Sequence, residues 1–491
     1  MAKINLVDTS VRDGNQSLWG ATGLRTCQFL QIAPVMERVG FHAIDFLSST
    51  HMGVAVRNFQ EDPWERIRLM KKAMPDTHLQ FLGTGMRFIS WEVASDEFML
   101  LVYKRMVENG ITRFAISDPL VDTRAMLESA YLIRKAGGTE IIPALTYTIS
   151  AIHDDIFYAN AAAELAKSAD VDRIYVKDPS GLLTPERART LIPAIRARIG
   201  NKPLELHSHC TIGLAPLSYL AAADCGVDAV QVAAGPLSNG TGQPSAERIA
   251  ANLREVGHTV DIDDRALARI VEYFDALARA EGLPAGKPQE YDAAFLRHQV
   301  PGGMITTMKR QLAELKLEHR YDEVIDEIDR VRGELGYPIM VTPFPQMVCA
   351  QALYNVISHE RYATVPDEVI RYVLGRFGRP TTPIDPNLED SILSRPRARE
   401  LADEPPPRPV SELRKKFAPN ISDEEFLLRA TMPADLVDAM RRGGPQGYNP
   451  EIRPLVHLLK GIGKRSDLSD IVVDKPGFKL HLRGAPPATP S

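Results

Sequence analysis

Eight short apolar runs separated by longer amphipathic segments fill the first 240 residues, and this rhythm constrains the fold more than any other feature. The runs lie at 4–8, 43–47, 79–83, 113–116, 141–148, 173–176, 204–207 and 229–232. Each has the length of a strand, and the segments between them, such as 62–73 and 96–109, carry helical spacing. Strands alternating with helices predict a parallel sheet, and eight such units predict a closed (β/α)8 barrel. A doubly wound open sheet is the alternative, but no GxGxxG follows the first strand to support it. Punctuation agrees: Asn109-Gly110, Gly137-Gly138 and Cys225-Gly226 sit where helices should end. Thr184-Pro185-Glu186 reads as a helix start with Thr184 as N-cap.

Beyond residue 290 the pattern becomes mainly helical, with helices expected at 304–317, 323–335, 346–358, 367–376 and 421–443. Prolines cluster at 380–386 and 405–409, where linkers are expected. This divides the 491 residues into a barrel (1–290), a helical extension (291–465) and a partly disordered tail (466–491).

Composition excludes several classes. The chain carries 25% charged residues and a net charge of −5, with no basic stripe of the kind nucleic-acid binding requires. No apolar run approaches the about 18 residues of a membrane span. The N-terminus meets Asp8 before any long apolar stretch, so no signal peptide is expected. Cys27, Cys210, Cys225 and Cys349 lie far apart without CxxC spacing, which favours a reduced, cytoplasmic setting over a disulfide framework.

Four polar segments follow predicted strands, and in a barrel such segments share the face that carries the chemistry. DTSVRDGNQS (8–17) offers Asp13 as an oxygen ligand, Arg12 as a clamp for negative charge and Gln16 as a hydrogen-bond donor; it also reads as a charged loop capping a helix. In His207-Ser208-His209 the two imidazoles leave one strand face about 7 Å apart. They suit either one metal ion or a pair of satisfied strand-end histidines. Lys177, ending a buried strand, is either salt-bridged to Asp178 or Asp13, or has a free amine able to take up carbon dioxide as an anionic carbamate. PLSNGTGQP (236–244) is either an ordinary polar loop or one in which Thr241 relays a proton.

Together these segments resemble the carboxyltransferase domain of pyruvate carboxylase, and equally the oxaloacetate decarboxylase α chain and the large carboxyltransferase subunit of transcarboxylase. The family's first motif, DTTxRDAHQSL, is DTSVRDGNQSL here. Further matches are EDPWER (61–66), Lys177-Asp178, GLLTP (181–185), LHSHC (206–210), GLAP (213–216), Gln243-Pro244, PGGM (301–304) and VTP (341–343), spanning about residues 3–460. The resemblance implies a TIM barrel with a helical extension over its mouth. It implies a divalent metal (zinc, manganese or cobalt) on Asp13, carbamylated Lys177, His207 and His209. Arg12 and Gln16 would contact the acceptor, and Thr241 would pass a proton between acceptor methyl and biotin nitrogen. The reaction would move carbon dioxide between carboxybiotin and an enolisable carbonyl acceptor of the pyruvate or oxaloacetate type.

No Met-Lys-Met biotinylation motif and no ATP-grasp-like region occurs, so biotin is expected on a separate carrier protein, with a biotin carboxylase as a further partner and a homodimer at the core. Two other readings stay open: a biotin-independent lyase of the hydroxymethylglutaryl-CoA lyase type, and a non-catalytic subunit of a carboxylase complex.

Departures from the family concentrate where the acceptor would bind. The family's LLRGAN is LGTGMR (82–87), which puts Thr84 at the arginine position. A family tyrosine corresponds to Trp91, GGATFD corresponds to SSTHMG (48–53), the first-motif histidine is Asn15, and RxFD is AISD (115–118). A hydroxyl does not replace a bidentate guanidinium on a carboxylate. His51 and Arg87 are the substitute contacts expected for an altered acceptor.

Overall fold

The computed structural model describes residues 2–90, 93–300, 302–314, 316–444, 470–475 and 478–483. Eight parallel strands close into a barrel: β1 (Asn5–Asp8), β2 (Ala43–Ser48), β3 (His78–Gly83), β4 (Arg113–Ser117), β5 (Glu140–Thr146), β6 (Ile174–Asp178), β7 (Leu204–Ser208) and β8 (Ala229–Val232). Closure is direct, with Asn5 to Asp8 in register against Ala229 to Val232. The open-sheet alternative is thereby excluded. Helices alternate with the strands and wrap the outside, burying apolar faces such as Trp64, Ile67 and Met70.

Local chemistry sets the helix ends. Asp62 accepts from Trp64 N, with Pro63 at the first turn of helix Pro63–Ala73. Thr184 accepts from Arg187 N at the start of helix Pro185–Arg196, as its position implies. Gly110, at φ +118°, ends helix Asp96–Asn109 in a conformation L side chains rarely adopt.

Two sequence expectations shift at the site. β6 extends beyond its predicted apolar run to end at Lys177 and Asp178, which pair with His207 and Ser208. The first motif is no simple loop: Ser10–Gly14 forms a wide π-helical turn, closed by Gly14 N donating to Thr9 O at 3.0 Å, and continues into helix Asn15–Trp19.

The barrel lumen is unusually polar. Asp45, Gln80, Arg113, Glu205 and Gln231 all point into it, each 1% exposed or less. Charged groups this deep need partners, and they find them in one another.

The helical extension splits its allegiance. Helices Gly302–Glu314, Tyr321–Glu334, Phe344–Ile357, Asp367–Val373 and Pro386–Leu393 surround a hydrophobic core of their own, with Ile328, Val331, Phe344 and Tyr372 fully buried. Helices Asp423–Thr431 and Ala434–Gly443 return to the barrel's core. There Phe426 packs on Phe98 at 6.1 Å, and Trp64 Nε1 donates to Glu424 O at 3.2 Å. Between the two units, Thr148 Oγ1 donates to Gln299 Oε1 and accepts from Arg332 Nη2, both at 2.7 Å. Gln299 Nε2 donates back to Ile149 O at 2.7 Å. β9 (Asp470–Lys475) and β10 (Phe478–Arg483) form an antiparallel hairpin within the region read as a tail.

Candidate metal centre at the barrel mouth

The π-helical turn after β1 carries Asp13 inward, and the end of β7 carries His207 and His209 to meet it. Asp13 Oδ2 lies 3.3 Å from His207 Nε2 and 3.4 Å from His209 Nε2. The two rings stand edge to face with centroids 4.8 Å apart. His209 lies beyond the last β7 residue, where its N donates to Asp178 O at 3.1 Å, so the strand end curls and the imidazoles converge. Gly181, at φ +73°, permits this approach: a Cβ there would collide with His209 O.

The imidazole polarity suits a cation. His207 Nδ1 lies 2.8 Å from Gln231 Oε1, and His209 Nδ1 lies 2.5 Å from Thr241 O. Both acceptors are carbonyl oxygens, so each Nδ1 carries the proton and each Nε2 presents its lone pair to Asp13. Among these three groups sits Gln243 Nε2, 3.1 Å from Asp13 Oδ2, 3.0 Å from His209 Nε2 and 3.4 Å from His207 Nε2. Its Oε1 lies 2.7 Å from Thr9 Oγ1, which also lies 2.9 Å from Val232 O. An amide NH2 group therefore occupies the point where the donors converge. Their ligand atoms lie within 4.8 Å of one another, a set that fits a divalent cation.

Electrostatics agree. Burial alone would raise the Asp13 carboxyl, but Arg12 and the two histidines hold it well below its ordinary value. Burial pushes the His207 imidazolium well below its ordinary value.

Lys177 pairs with His207 across β6 and β7 and is 7% exposed. The two salt bridges open to it in the sequence do not form. Asp178 accepts instead from Leu182 N, Leu183 N and Ser208 Oγ, and Asp13 faces Arg12, His207 and His209. Burial, then the charge of Arg12, pushes the Lys177 ammonium down to about 8.

Arg12 is pinned through both Nε (2.7 Å) and Nη2 to Asp45 Oδ2, with Nη2 3.3 Å from Asp13 Oδ2. His51 is buried; its Nδ1 lies 2.9 Å from Ser48 Oγ, and burial with the charge of Arg12 pushes it down to about 3. Its Nε2 has no hydrogen-bond partner among the described residues.

The other expected residues are less buried than these ligands. Gln16 is exposed on helix Asn15–Trp19. Thr241 is exposed and its Oγ1 donates to Ser17 O at 2.8 Å. Thr84 forms an isolated bridge with Arg87. The Arg87 guanidinium turns to the helical extension, donating to Arg376 O at 3.1 Å and lying 5.7 Å over the Phe377 ring. Trp91 and Pro301 lie outside the described residues.

Asp45, Glu205 and Gln231 were not singled out from the sequence, and Gln243 was noted only as part of a motif. A faint signal exists in AIDFL, LELH and AVQV, where one polar residue interrupts an apolar strand on its inward face.

Comparison with known proteins places these observations. A family described as "Conserved carboxylase domain" matches residues 295–461, and one described as "HMGL-like" matches residues 145–273. The chain is 38% identical over 490 residues to a pyruvate carboxylase subunit of Methanocaldococcus jannaschii, covering 98% of this chain and 84% of that one. It is 33% identical to the 2-oxoglutarate carboxylase large subunit of Hydrogenobacter thermophilus, over 89% of this chain and 68% of that one. It is 30% identical to the methylmalonyl-CoA carboxyltransferase 5S subunit of Propionibacterium freudenreichii, over 88% and 86%. The carboxyl transferase domain of Rhizobium etli pyruvate carboxylase, solved with pyruvate, superposes with a TM-score of 0.79 at 26% identity, covering 98% of this chain and 83% of that one.

Proposed function

This chain belongs to the carboxyltransferase family of the biotin-dependent carboxylases, and we propose on that premise that its barrel mouth moves a carboxyl group between carboxybiotin and an enolisable 2-oxo acid. The observation that carries this reading is the convergence of Asp13, His207 and His209 beside Lys177 and Arg12.

Asp13, His207, His209 and a carbamate on Lys177 would hold a divalent zinc, manganese or cobalt ion. Lys177 suits that modification because burial favours its free amine and neither Asp178 nor Asp13 neutralises it. Bound there, the cation would supply Lewis acidity toward the acceptor carbonyl.

The chain's own residues do the rest. Arg12, pinned by Asp45 and Asp13, keeps a cation in place before charge develops on the acceptor oxygen, so little reorganisation is needed. Gln16, exposed at the mouth, binds the acceptor carboxylate, assisted by His51 and Thr84. Thr241 takes a proton from the acceptor methyl as its own hydroxyl proton passes to the biotin nitrogen. The burial of Asp13, His207 and His209 excludes water that would screen these charges.

The acceptor is a 2-oxo acid whose shape Thr84, in place of an arginine, leaves less tightly specified. Relatives named for pyruvate and for 2-oxoglutarate support this class. Biotin arrives on a separate carrier protein, charged by a biotin carboxylase, as the names of the relatives as subunits support. A homodimer in the cytoplasm completes the assembly, in keeping with four free cysteines. No described helix is long and apolar enough to cross a membrane.

The test is carboxyl exchange between a biotinylated carrier and a panel of 2-oxo acids and acyl thioesters, using the native complex. Exchange on one 2-oxo acid, dependent on the carrier, is expected. Turnover of an acyl thioester without biotin would instead establish the lyase reading that the HMGL-like match shares.

A further inference from the structure

Polar groups in the barrel lumen lead in an unbroken line to one of the candidate metal ligands. His207 Nδ1 meets Gln231 Oε1 at 2.8 Å. Gln231 Nε2 donates to Glu205 Oε1 at 2.6 Å, and Glu205 Oε2 accepts from Arg113 Nη2 at 2.5 Å. Arg113 is anchored in turn by Gln80 Oε1 at 2.8 Å and Glu140 Oε2 at 3.0 Å. Arg113, Glu205, Gln231 and His207 are all 0% exposed, so water neither competes with these bonds nor substitutes for them.

The line has a direction. A guanidinium only donates and a carboxylate only accepts. Glu205, held by Arg113, must therefore meet the NH2 side of the Gln231 amide. That forces the amide oxygen toward His207. A carbonyl oxygen only accepts, so the His207 proton sits on Nδ1 and the Nε2 lone pair faces Asp13. Tyr175 OH, 3.4 Å from the same Gln231 oxygen, holds it from the side.

We propose that Gln231 is a positioning residue for the metal centre: backed by Glu205 and Arg113, it fixes the tautomer of His207 that can bind a cation. The proposal rests on the reading of Asp13, His207 and His209 as ligands. None of the three lumen residues touches the cation; they act through His207.

Two near-isosteric changes test it. Glu205→Gln leaves Arg113 needing an acceptor, so the new amide oxygen turns to Arg113 and its NH2 group turns to Gln231. Gln231 must then flip and present its own NH2 group to His207, which moves the imidazole proton to Nε2. Adding Gln231→Glu to Glu205→Gln restores every bond, because the new carboxylate accepts both from the new amide and from His207 Nδ1.

The measurements are imidazole 15N spectra of the metal-free full-length protein and titration of that protein with cobalt(II), followed by its visible absorption. Glu205→Gln should move the His207 proton to Nε2 and weaken cobalt binding by about 10- to 100-fold. The double variant should recover both signals. Unchanged tautomer and affinity in Glu205→Gln would overturn the proposal while leaving the ligand assignment intact. So would a double variant as weak as the single one, since packing alone would then explain the loss. Cobalt binding in the unaltered protein that His207→Ala does not reduce would overturn both the ligand reading and this one.

Discussion

Lys177 and His207 are register partners on adjacent strands, so an amine that burial pushes down to about 8 stands beside an imidazole turned toward Asp13. A carbamate formed there would depend on dissolved carbon dioxide. Depleting carbon dioxide should lower metal occupancy and carboxyl exchange together, and bicarbonate should restore both. Lys177→Ala should show neither response and lose at least about 100-fold in activity, the upper end of what disturbing even a ligand's supporting bonds costs. Metal content indifferent to carbon dioxide in the unaltered protein would rule the carbamate out.

His209→Ala removes one Nε2 donor and leaves Gln243 Nε2 facing Asp13 and His207. Bound divalent metal, measured by elemental analysis after gel filtration, should fall below stoichiometric. The stabilisation that added metal confers should shrink with it, because a ligand stabilises only in proportion to its affinity. Thermal midpoints with and without metal would reveal a variant that binds as tightly as before.

At the opposite end of the barrel, Glu140 sits among His42, Arg113 and Arg173. Burial alone would raise its carboxyl, but these neighbours hold it below its ordinary value of 4.5. A depressed carboxylate contributes stability that is present above the unfolded value and is lost as pH falls through the folded one. Thermal stability should therefore decline as pH drops below 4.5, and Glu140→Gln should flatten that decline. At pH 7 the variant should be less stable by about 3–5 kcal/mol, since two buried arginines lose a partner. Equal slopes on the acid side would show that Glu140 does not carry the effect.

Thr84→Arg would place a guanidinium at the position where the family carries one. KM for pyruvate should drop by about tenfold or more, the scale of a hydrogen bond to a charged group, while kcat changes little. A rise in KM would mean that the half-buried Thr84 and Arg87 bridge shapes the pocket in another way.

The barrel was legible because each strand is a short, mainly apolar run between helix signals, and all eight predicted strands are present. β8 matches its predicted span, and β6 ends two residues beyond its predicted apolar run, with Lys177 and Asp178 at the strand end pairing with His207 and Ser208. The motif residues Asp13, His207 and His209 were legible by type and spacing. Their supporting partners were not. Gln231 meets His207 across 24 residues because β8 pairs with β7, and Arg113 on β4 meets Glu205 on β7 across 92, a contact between strands that are not neighbours. Arg87 was placed near the acceptor by sequence proximity alone, whereas the extension supplies Arg376 O and Phe377 to draw it away.

The clasp of Thr148 and Ile149 with Gln299 and Arg332 joins the barrel to the extension after a stretch, 287–294, that is exposed throughout. That stretch is a tether and the clasp is the joint. A protease nick in the tether would leave two fragments that still travel together through purification. A gene split at the same point would still yield one working body from two polypeptides.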